Sequence, residues 1–400
     1  IRGAGDGADV RSTAGIIAAL GGEVERAAGA AGNVDYIVRS PGSGSLREPA
    51  ATLDCGNSGT SLRLFAGILA GQPMTATLDG DASLRGRPMA RIIEPLRQMG
   101  ASVEHGAESR PPLTMTGRNP LRAIDWTTPV PSAQVKSAIL LAGLRADGLT
   151  TVRESVATRD HTERMLRARG VAVRSGRGEG GGAVVEIEGG ASMLARDELV
   201  PGDVSAAAFW LVAGAIHPAA ELRLRDVGVN PTRRAVIDLL LRMGGSIDET
   251  PAGDAQTAGE PIADLVVRSS ELTAIELSPA DTAAAIDEIL ILCLAGTQAR
   301  GRTVVRGAGE LRHKESDRIA GIVDGLVALG ARIESRGDDI VIDGPTTLRG
   351  AEVDSRGDHR LALTFAIAGL IAEGHTTIGD AASVSVSYPT FFADLERIRS

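Results

Sequence analysis

In "HKESDRIAGIV", Lys314 and Arg318 are four residues apart with Glu315 and Asp317 between them. Two cations on one helical face repel unless an anion lies between them. Arg85, Arg87 and Arg91 surround Pro88, which sits where a helix would begin. An arginine beside a proline-fixed turn is placed for a bidentate contact with a carboxylate or a phosphate. "LDCGNSGTSLRLFAGILAG" (53–71) sets small polar residues and two glycines directly before an apolar run. Unobstructed N–H groups at such a helix start seat anions. "PSAQVKSAI" adds Ser132, Gln134 and Lys136, and "SRGDHRLAL" carries Asp358, His359 and Arg360 into an apolar helix, where polar groups need partners. "ATRDHTERML" packs Arg159, Asp160, His161, Glu163 and Arg164 into one helix start, most of them expected to be solvated. Each stretch also has a plain reading as caps, tight turns and charged surface.

The elements that must position these residues recur. "AALGGEVE" (18–25) returns as "LRQMGASVE" (96–104), "LRARGVAVR" (166–174), "LLRMGGSID" (240–248) and "LVALGARIE" (326–334). Each is an apolar helix end, a glycine stop and an alternating strand start. Small-residue helix openings precede most of them, at 54, 131, 201, 286 and 357. Opening to stop spans roughly forty residues, one supersecondary unit of strands and helices. Six α/β units result, the first expected to lack its front half because no opening precedes Gly21. They divide into two domains of three, 1–199 and 200–400, with the break near "ARDELVPGD" (195–203). "SGRGEGGG" (175–182) reads as a hairpin loop rather than a linker, since "AVVEIEG" follows at once.

Composition removes several classes of function. The 400 residues are 43% hydrophobic, which is globular, and carry a net charge of −9. That charge argues against general binding to nucleic acid or anionic membranes, and aromatics at 2% leave little for base stacking. Two cysteines, Cys55 and Cys293, cannot build a disulfide framework, so an intracellular, cytoplasmic chain is expected. No apolar run reaches membrane-spanning length, and the first ten residues read as neither a signal nor a transit peptide. Helix starts rich in cations in both halves of the chain should converge on an anionic ligand.

In their order, "LDCGNSGTSLRL", "GDASLRGRPM", "PSAQVKSAILLAGL", "RDHTERML", "IDEI", "HKESDRI" and "GDHRLAL" resemble the enolpyruvylshikimate-phosphate synthases over essentially the whole chain. The resemblance implies two domains of three βαβαββ units, the inside-out α/β barrel. It implies transfer of enolpyruvyl from phosphoenolpyruvate to the 5-hydroxyl of shikimate 3-phosphate, with loss of phosphate and with neither metal nor cofactor. By resemblance, Gly59, Arg87, Gln134, Arg318 and Arg360 contact phosphoenolpyruvate. Ser132, Gln134, Asp287 and Lys314 contact shikimate 3-phosphate, with Ser155 and Arg159 as looser matches. Asp287 resembles the base at the 5-hydroxyl, with Lys314 close by. Glu315 resembles the group handling the proton at the methylene carbon. Partners are these two small molecules, with no nucleic acid and no membrane, and the chain is expected to be a monomer.

Two departures stand out. The family's first motif, Pro-Gly-Asp-Lys-Ser-x-Ser-x-Arg, is absent, so an N-terminally truncated chain, less stable and nearly inactive, is expected. Val386 stands where some members carry a lysine. Three other readings stay open: an inactive fragment, enolpyruvyl transfer to a UDP-amino sugar with a loop cysteine, and the RNA-phosphate cyclases that share the repeat. "SAQVK" and "RDHTE" resemble the subgroup that tolerates glyphosate, so weak inhibition is expected.

Overall fold

The structure is a computed structural model that describes residues 1–30, 33–40, 42, 44–178, 181–253, 257 and 259–399. It divides into two compact units, Ile1–Val200 with Ala255–Gly259, and Pro201–Asp254 with Glu260–Ser400.

Unit 1 opens with α1 (Ala8–Ala19) and the antiparallel hairpin β1 (Glu23–Ala28) and β2 (Val34–Arg39). Then come β3 (Leu53–Asp54), α2 (Gly59–Ala70), β4 (Thr75–Asp79), the short α3 (Ala82–Arg85), α4 (Ala90–Gln98), β5 (Ser102–His105) and β6 (Leu113–Thr116). Their sheet runs β3-β4-β6-β5, parallel at β3–β4 and antiparallel beyond. The parallel pair needs a crossover, which α2 supplies. The pattern returns after β7 (Leu121–Arg122), in β8 (Asp125–Thr127), α5 (Ala133–Gly143), β9 (Ala146–Asp147), β10 (Leu149–Glu154), α6 (His161–Ala168), β11 (Val173–Arg177) and β12 (Ala183–Glu188). That sheet runs β8-β10-β12-β11, while β7 pairs with β9. β11 and β12 form the hairpin expected at 175–182, with Arg177 opposite Ala183; residues 179 and 180 lie outside the described residues.

Unit 2 repeats the scheme with α7 (Val204–Ile216), β13 (Glu221–Gly228), α8 (Ala235–Arg242), β14 (Ser246–Pro251) and β15 (Ile262–Arg268). Its first strand is reduced to one parallel bridge, Gly202–Val227. Next are β16 (Glu276–Leu277), α9 (Pro279–Ala284), α10 (Ile289–Gln298), β17 (Gly301–Val305), α11 (Arg318–Ala328), β18 (Arg332–Arg336) and β19 (Asp339–Gly344), in sheet order β16-β17-β19-β18. Last come β20 (Glu352–Asp354) and β21 (Thr377–Gly379), parallel across α12 (His359–Gly369), and then α13 (Phe391–Arg399).

The glycine stops explain the repetition. Gly21, Gly100, Gly170, Gly244 and Gly330 all have φ between 84° and 107°, the left-handed backbone that ends a helix without a side-chain clash. Glycine also brings helices together. A Cβ on Gly67 of α2 would stand 2.2 Å from the Ala138 carbonyl oxygen of α5. α7 and α10 are apolar all round and buried all round; α10 is buried from Ile289 through Thr297. Each unit has its own core. Leu62, Leu69, Leu78, Leu96 and Ile139 centre the first, and Leu211, Leu240, Ile291, Ile322 and Phe365 the second.

Each unit also holds one tryptophan. Trp126 of β8 packs half-buried against the first core. Trp210 of α7 stacks on Phe391 at 5.0 Å and donates from Nε1 to Tyr388 Oη at 3.1 Å. Among the described residues no helix is long and apolar enough to cross a membrane.

Two local expectations are corrected. Pro88 precedes the helix rather than starting it, because α4 begins at Ala90 with Met89 as its cap. Lys314 and Arg318 do not share a helical face. Lys314 is in extended backbone after a short 3-10 turn, and α11 starts only at Arg318, capped by Asp317. A carboxylate cap with an apolar helix behind it sets that boundary.

Candidate active site

In unit 1 the polar opening after β3 becomes the start of α2. Ser58 caps it, its Oγ accepting from Ser61 N at 3.1 Å. Gly59 is the first helical residue and is buried. A Cβ there would stand 2.8 Å from Arg63 Nη1 and 3.2 Å from Arg87 Nη1, so both guanidiniums lean over the same glycine. Arg63 Nη1 donates to Gln134 Oε1 at 2.6 Å, and Gln134 Nε2 donates to Thr60 Oγ1 at 2.8 Å. Arg87 donates to Asn57 Oδ1 at 2.6 Å, and Asn57 in turn donates to Asp81. The structure thus brings Gly59, Arg87 and Gln134 together. Burial, and then the charges of Arg87 and Arg91, hold the Arg63 pKa below the usual guanidinium value. Arg85 is occupied elsewhere, bidentate on Asp79.

Sequence reasoning missed Arg63. Its signal was present: an arginine one turn inside a helix whose remaining residues, 64–70, carry no polar side chain.

Ser132 caps α5, and Gln134 follows in its first turn. Ser155 and Arg159 are exposed on the segment between β10 and α6. The charges of "RDHTE" are not all solvated. Glu163 is fully buried, and its Oε1 lies 2.9 Å from Lys136 Nζ. A lysine projecting inward from α5 makes that burial tolerable.

In unit 2 the groups are carboxylates and cations in pairs. Arg318 is buried, with Nε 2.7 Å from Asp358 Oδ2 and Nη2 2.7 Å from Glu315 Oε2. Asp358 is also the cap of α12, accepting from Arg360 N at 2.9 Å. Burial pushes its carboxyl up, but the hydrogen bonds and charge of Arg318 outweigh this and hold it below the usual carboxylate range. Arg360 Nη1 donates to the Asp287 carbonyl at 2.8 Å and to Ser205 Oγ at 3.0 Å. Ser205 Oγ donates to the buried Glu288, a contact no sequence motif flagged. Lys314 Nζ lies 4.0 Å from Asp287 Oδ1 and 3.1 Å from Glu310. Asp287, Lys314, Glu315, Arg318 and Arg360 therefore form one neighbourhood. Val386 is 71% exposed on a 3-10 turn.

Cys55 lies inside the glycine-rich opening but is fully buried. Burial first, then Asp54 and Asp79, push its thiol up to about 12, so it is not a thiolate near neutral pH.

A sequence profile of EPSP synthase (3-phosphoshikimate 1-carboxyvinyltransferase) matches residues 1–395. The chain belongs to the EPSP synthase family. A 3-phosphoshikimate 1-carboxyvinyltransferase of Gloeobacter violaceus is 50% identical over 395 residues, covering 98% of this chain and 89% of that one. One of Bacillus cereus is 47% identical over all 400 residues, covering 90% of its own length. The solved EPSP synthase of Acinetobacter baumannii superimposes with a TM-score of 0.89 at 40% identity, covering 98% of this chain and 88% of that one. The two-domain α/β architecture expected from the repeats is thus the fold of the EPSP synthases.

Proposed function

We propose that the chain transfers the enolpyruvyl group of phosphoenolpyruvate to the 5-hydroxyl of shikimate 3-phosphate, the step of the shikimate pathway toward aromatic amino acids. Family membership over residues 1–395 carries this reading. Gly59, Arg87, Gln134, Arg318 and Arg360 hold phosphoenolpyruvate, and Arg63 joins them on its contacts. Ser132, Gln134, Ser155, Arg159, Asp287 and Lys314 hold shikimate 3-phosphate. Fixed guanidiniums on carboxylate and phosphate lower the cost of charge that develops during reaction.

Asp287 removes the proton of the 5-hydroxyl, and the oxygen bonds to C2 of the enol. Glu315 gives a proton to the methylene carbon, which becomes a methyl group. In the second step that methyl returns a proton to Glu315, the double bond re-forms, the C2–phosphate oxygen bond breaks, and the proton held by Asp287 leaves with the phosphate. Protons given and taken balance, so one acid–base set serves both halves. Lys314 Nζ, 4.0 Å from Asp287 Oδ1, places a cation beside that base. The buried, protonated Cys55 speaks against the reading as a UDP-amino-sugar transferase, which needs a reactive loop cysteine.

Phosphate release from phosphoenolpyruvate tests the proposal, with shikimate 3-phosphate or a UDP-amino sugar as acceptor. Turnover with shikimate 3-phosphate, reduced at least about a hundredfold in Asp287→Asn, is the expected result. Release only with the sugar nucleotide, or with neither acceptor, overturns it.

A further inference from the structure

Lys136 is the most enclosed ammonium among the described residues, 2% exposed, and it lies between two enclosed carboxylates. Its Nζ is 3.0 Å from Glu154 Oε2 at the end of β10 and 2.9 Å from Glu163 Oε1 on α6. A third N–H goes to the carbonyl oxygen of Thr158, at 3.3 Å. An ammonium has three donors, so all are spent. Thr158 returns the contact twice: its hydroxyl donates to Glu154 Oε1 at 2.6 Å and its N–H to Glu154 Oε2 at 3.4 Å. A buried charged triad rarely adds net stability over apolar packing. This one instead ties every polar group of one residue, in the middle of the irregular segment 155–160, to α5 and β10.

That segment carries Ser155 and Arg159, while Ser132, the cap of α5, and Gln134 lie four and two residues before Lys136. We infer that Lys136, Glu154 and Glu163 are positioning residues that lock the 155–160 segment against α5, so that Ser155 and Arg159 present a fixed face to shikimate 3-phosphate. The inference rests on the proposed function for the identity of the ligand. The lock itself is a property of the chain alone. Lys136 faces β10 and α6 while Gln134, on the same turn, faces Arg63 of α2. One helix start therefore makes two separate contacts, one to Arg63 of α2 and one to the carboxylates that hold the 155–160 segment. Loosening the Lys136 side should affect only the phosphorylated acceptor.

Lys136→Met strands two buried carboxylates and risks unfolding, so the decisive variant is Thr158→Val, which keeps shape and removes only the hydroxyl contact. The expected result is a KM for shikimate 3-phosphate raised about tenfold. The KM for phosphoenolpyruvate and kcat should stay within about twofold, and Thr158→Ser should restore the wild-type value. Amide exchange followed by mass spectrometry reads the lock without catalysis: peptides covering 155–160 should exchange faster in Thr158→Val, with α2 unchanged. Faster exchange without a change in acceptor KM overturns the link to shikimate 3-phosphate. Unchanged exchange overturns the lock. An equal rise in both KM values, with a general loss of protection, reduces the triad to a structural ion cluster. An inactive wild type with the expected exchange result counts against the proposed function and leaves the lock standing.

Discussion

The two units build the same alternation of strand and helix, yet they partner the cations of their candidate sites differently. In unit 1, Arg63 and Arg87 rest on amide oxygens, Gln134 Oε1 and Asn57 Oδ1. Among the described residues neither forms an ion pair at contact distance, and Asp81 reaches Arg87 only through Asn57. In unit 2, Arg318 holds Asp358 and Glu315, and Lys314 lies near Asp287 and Glu310. Amide oxygens orient a guanidinium without neutralising it, so the charge stays available to an anion. Carboxylate partners neutralise the cation, and in return, against the effect of burial, Arg318 holds the Asp358 carboxyl below its usual range. The first arrangement suits a seat for a phosphate or carboxylate, and the second suits proton transfer beside charged groups. Equivalent helix starts thus acquire different work from their second partners.

The largest expected effect breaks the unit 2 arrangement. Asp358→Asn leaves Arg318 buried beside a neutral partner and should cost about 3 kcal/mol or more, read by urea unfolding. Because the folded pKa of Asp358 is depressed, its contribution is complete above the ordinary carboxyl range and is lost as pH falls below about 4. Acid unfolding of the variant should therefore be flatter below pH 4. An unchanged acid limb would mean that Asp358 contributes nothing by charge. Next is Arg63→Met, which removes a charge that nothing neutralises. Phosphoenolpyruvate should bind about tenfold to a hundredfold more weakly by titration, at unchanged or higher thermal stability. A large loss of stability instead would show that Arg63 is structural, and the contrast between the units would fail.

Gly59→Ala is a finer probe. The new Cβ meets only the ends of two flexible side chains, Arg63 and Arg87, so the fold should survive while both guanidiniums shift. A severalfold rise in the KM for phosphoenolpyruvate is expected, with a similar or larger fall in glyphosate inhibition and no change for shikimate 3-phosphate. Equal effects on both substrates would separate Gly59 from the anion seat. The smallest effect concerns His359. Burial, and then the charge of Arg360, hold its pKa below the usual imidazole value. The unfolded chain binds that proton more readily, so stability should decline as pH falls below about 6.5 and level off at the folded pKa. His359→Gln should remove that slope from melting temperatures measured between pH 7 and 5.

The fold was legible because its punctuation is chemical. A glycine stop must be left-handed, and Gly21, Gly100, Gly170, Gly244 and Gly330 all are. Cap residues were as plain, with Ser58, Ser132, Asp203 and Asp358 each accepting from the helix they start. The site was harder to read. Arg63 was passed over because it lies inside an apolar helix rather than at its polar start. Glu163 was passed over because a carboxylate in a charged stretch looks solvated until its partner, distant in sequence, folds onto it, and Glu288 because nothing local marks Ser205 as its partner. Lys314 and Arg318 were put on one face because spacing alone does not reveal that Asp317, as a cap, ends the irregular stretch between them. Helix periodicity and turns are local signals, whereas burial of charge is decided by contacts tens of residues distant.

The distribution of tryptophan has a practical consequence. With Trp126 in one unit and Trp210 in the other, the chain carries two indole fluorophores whose surroundings differ. Trp210, stacked on Phe391 and bonded to Tyr388, reports on the packing of the C-terminal segment against α7. Replacing Trp126 by Phe leaves one emitter belonging wholly to unit 2, and the reverse replacement leaves one belonging to unit 1. Titrating each single-tryptophan chain with each substrate then separates, by emission alone, the response of the unit whose Arg63 and Arg87 rest on amides from that of the unit whose Arg318 is paired with carboxylates.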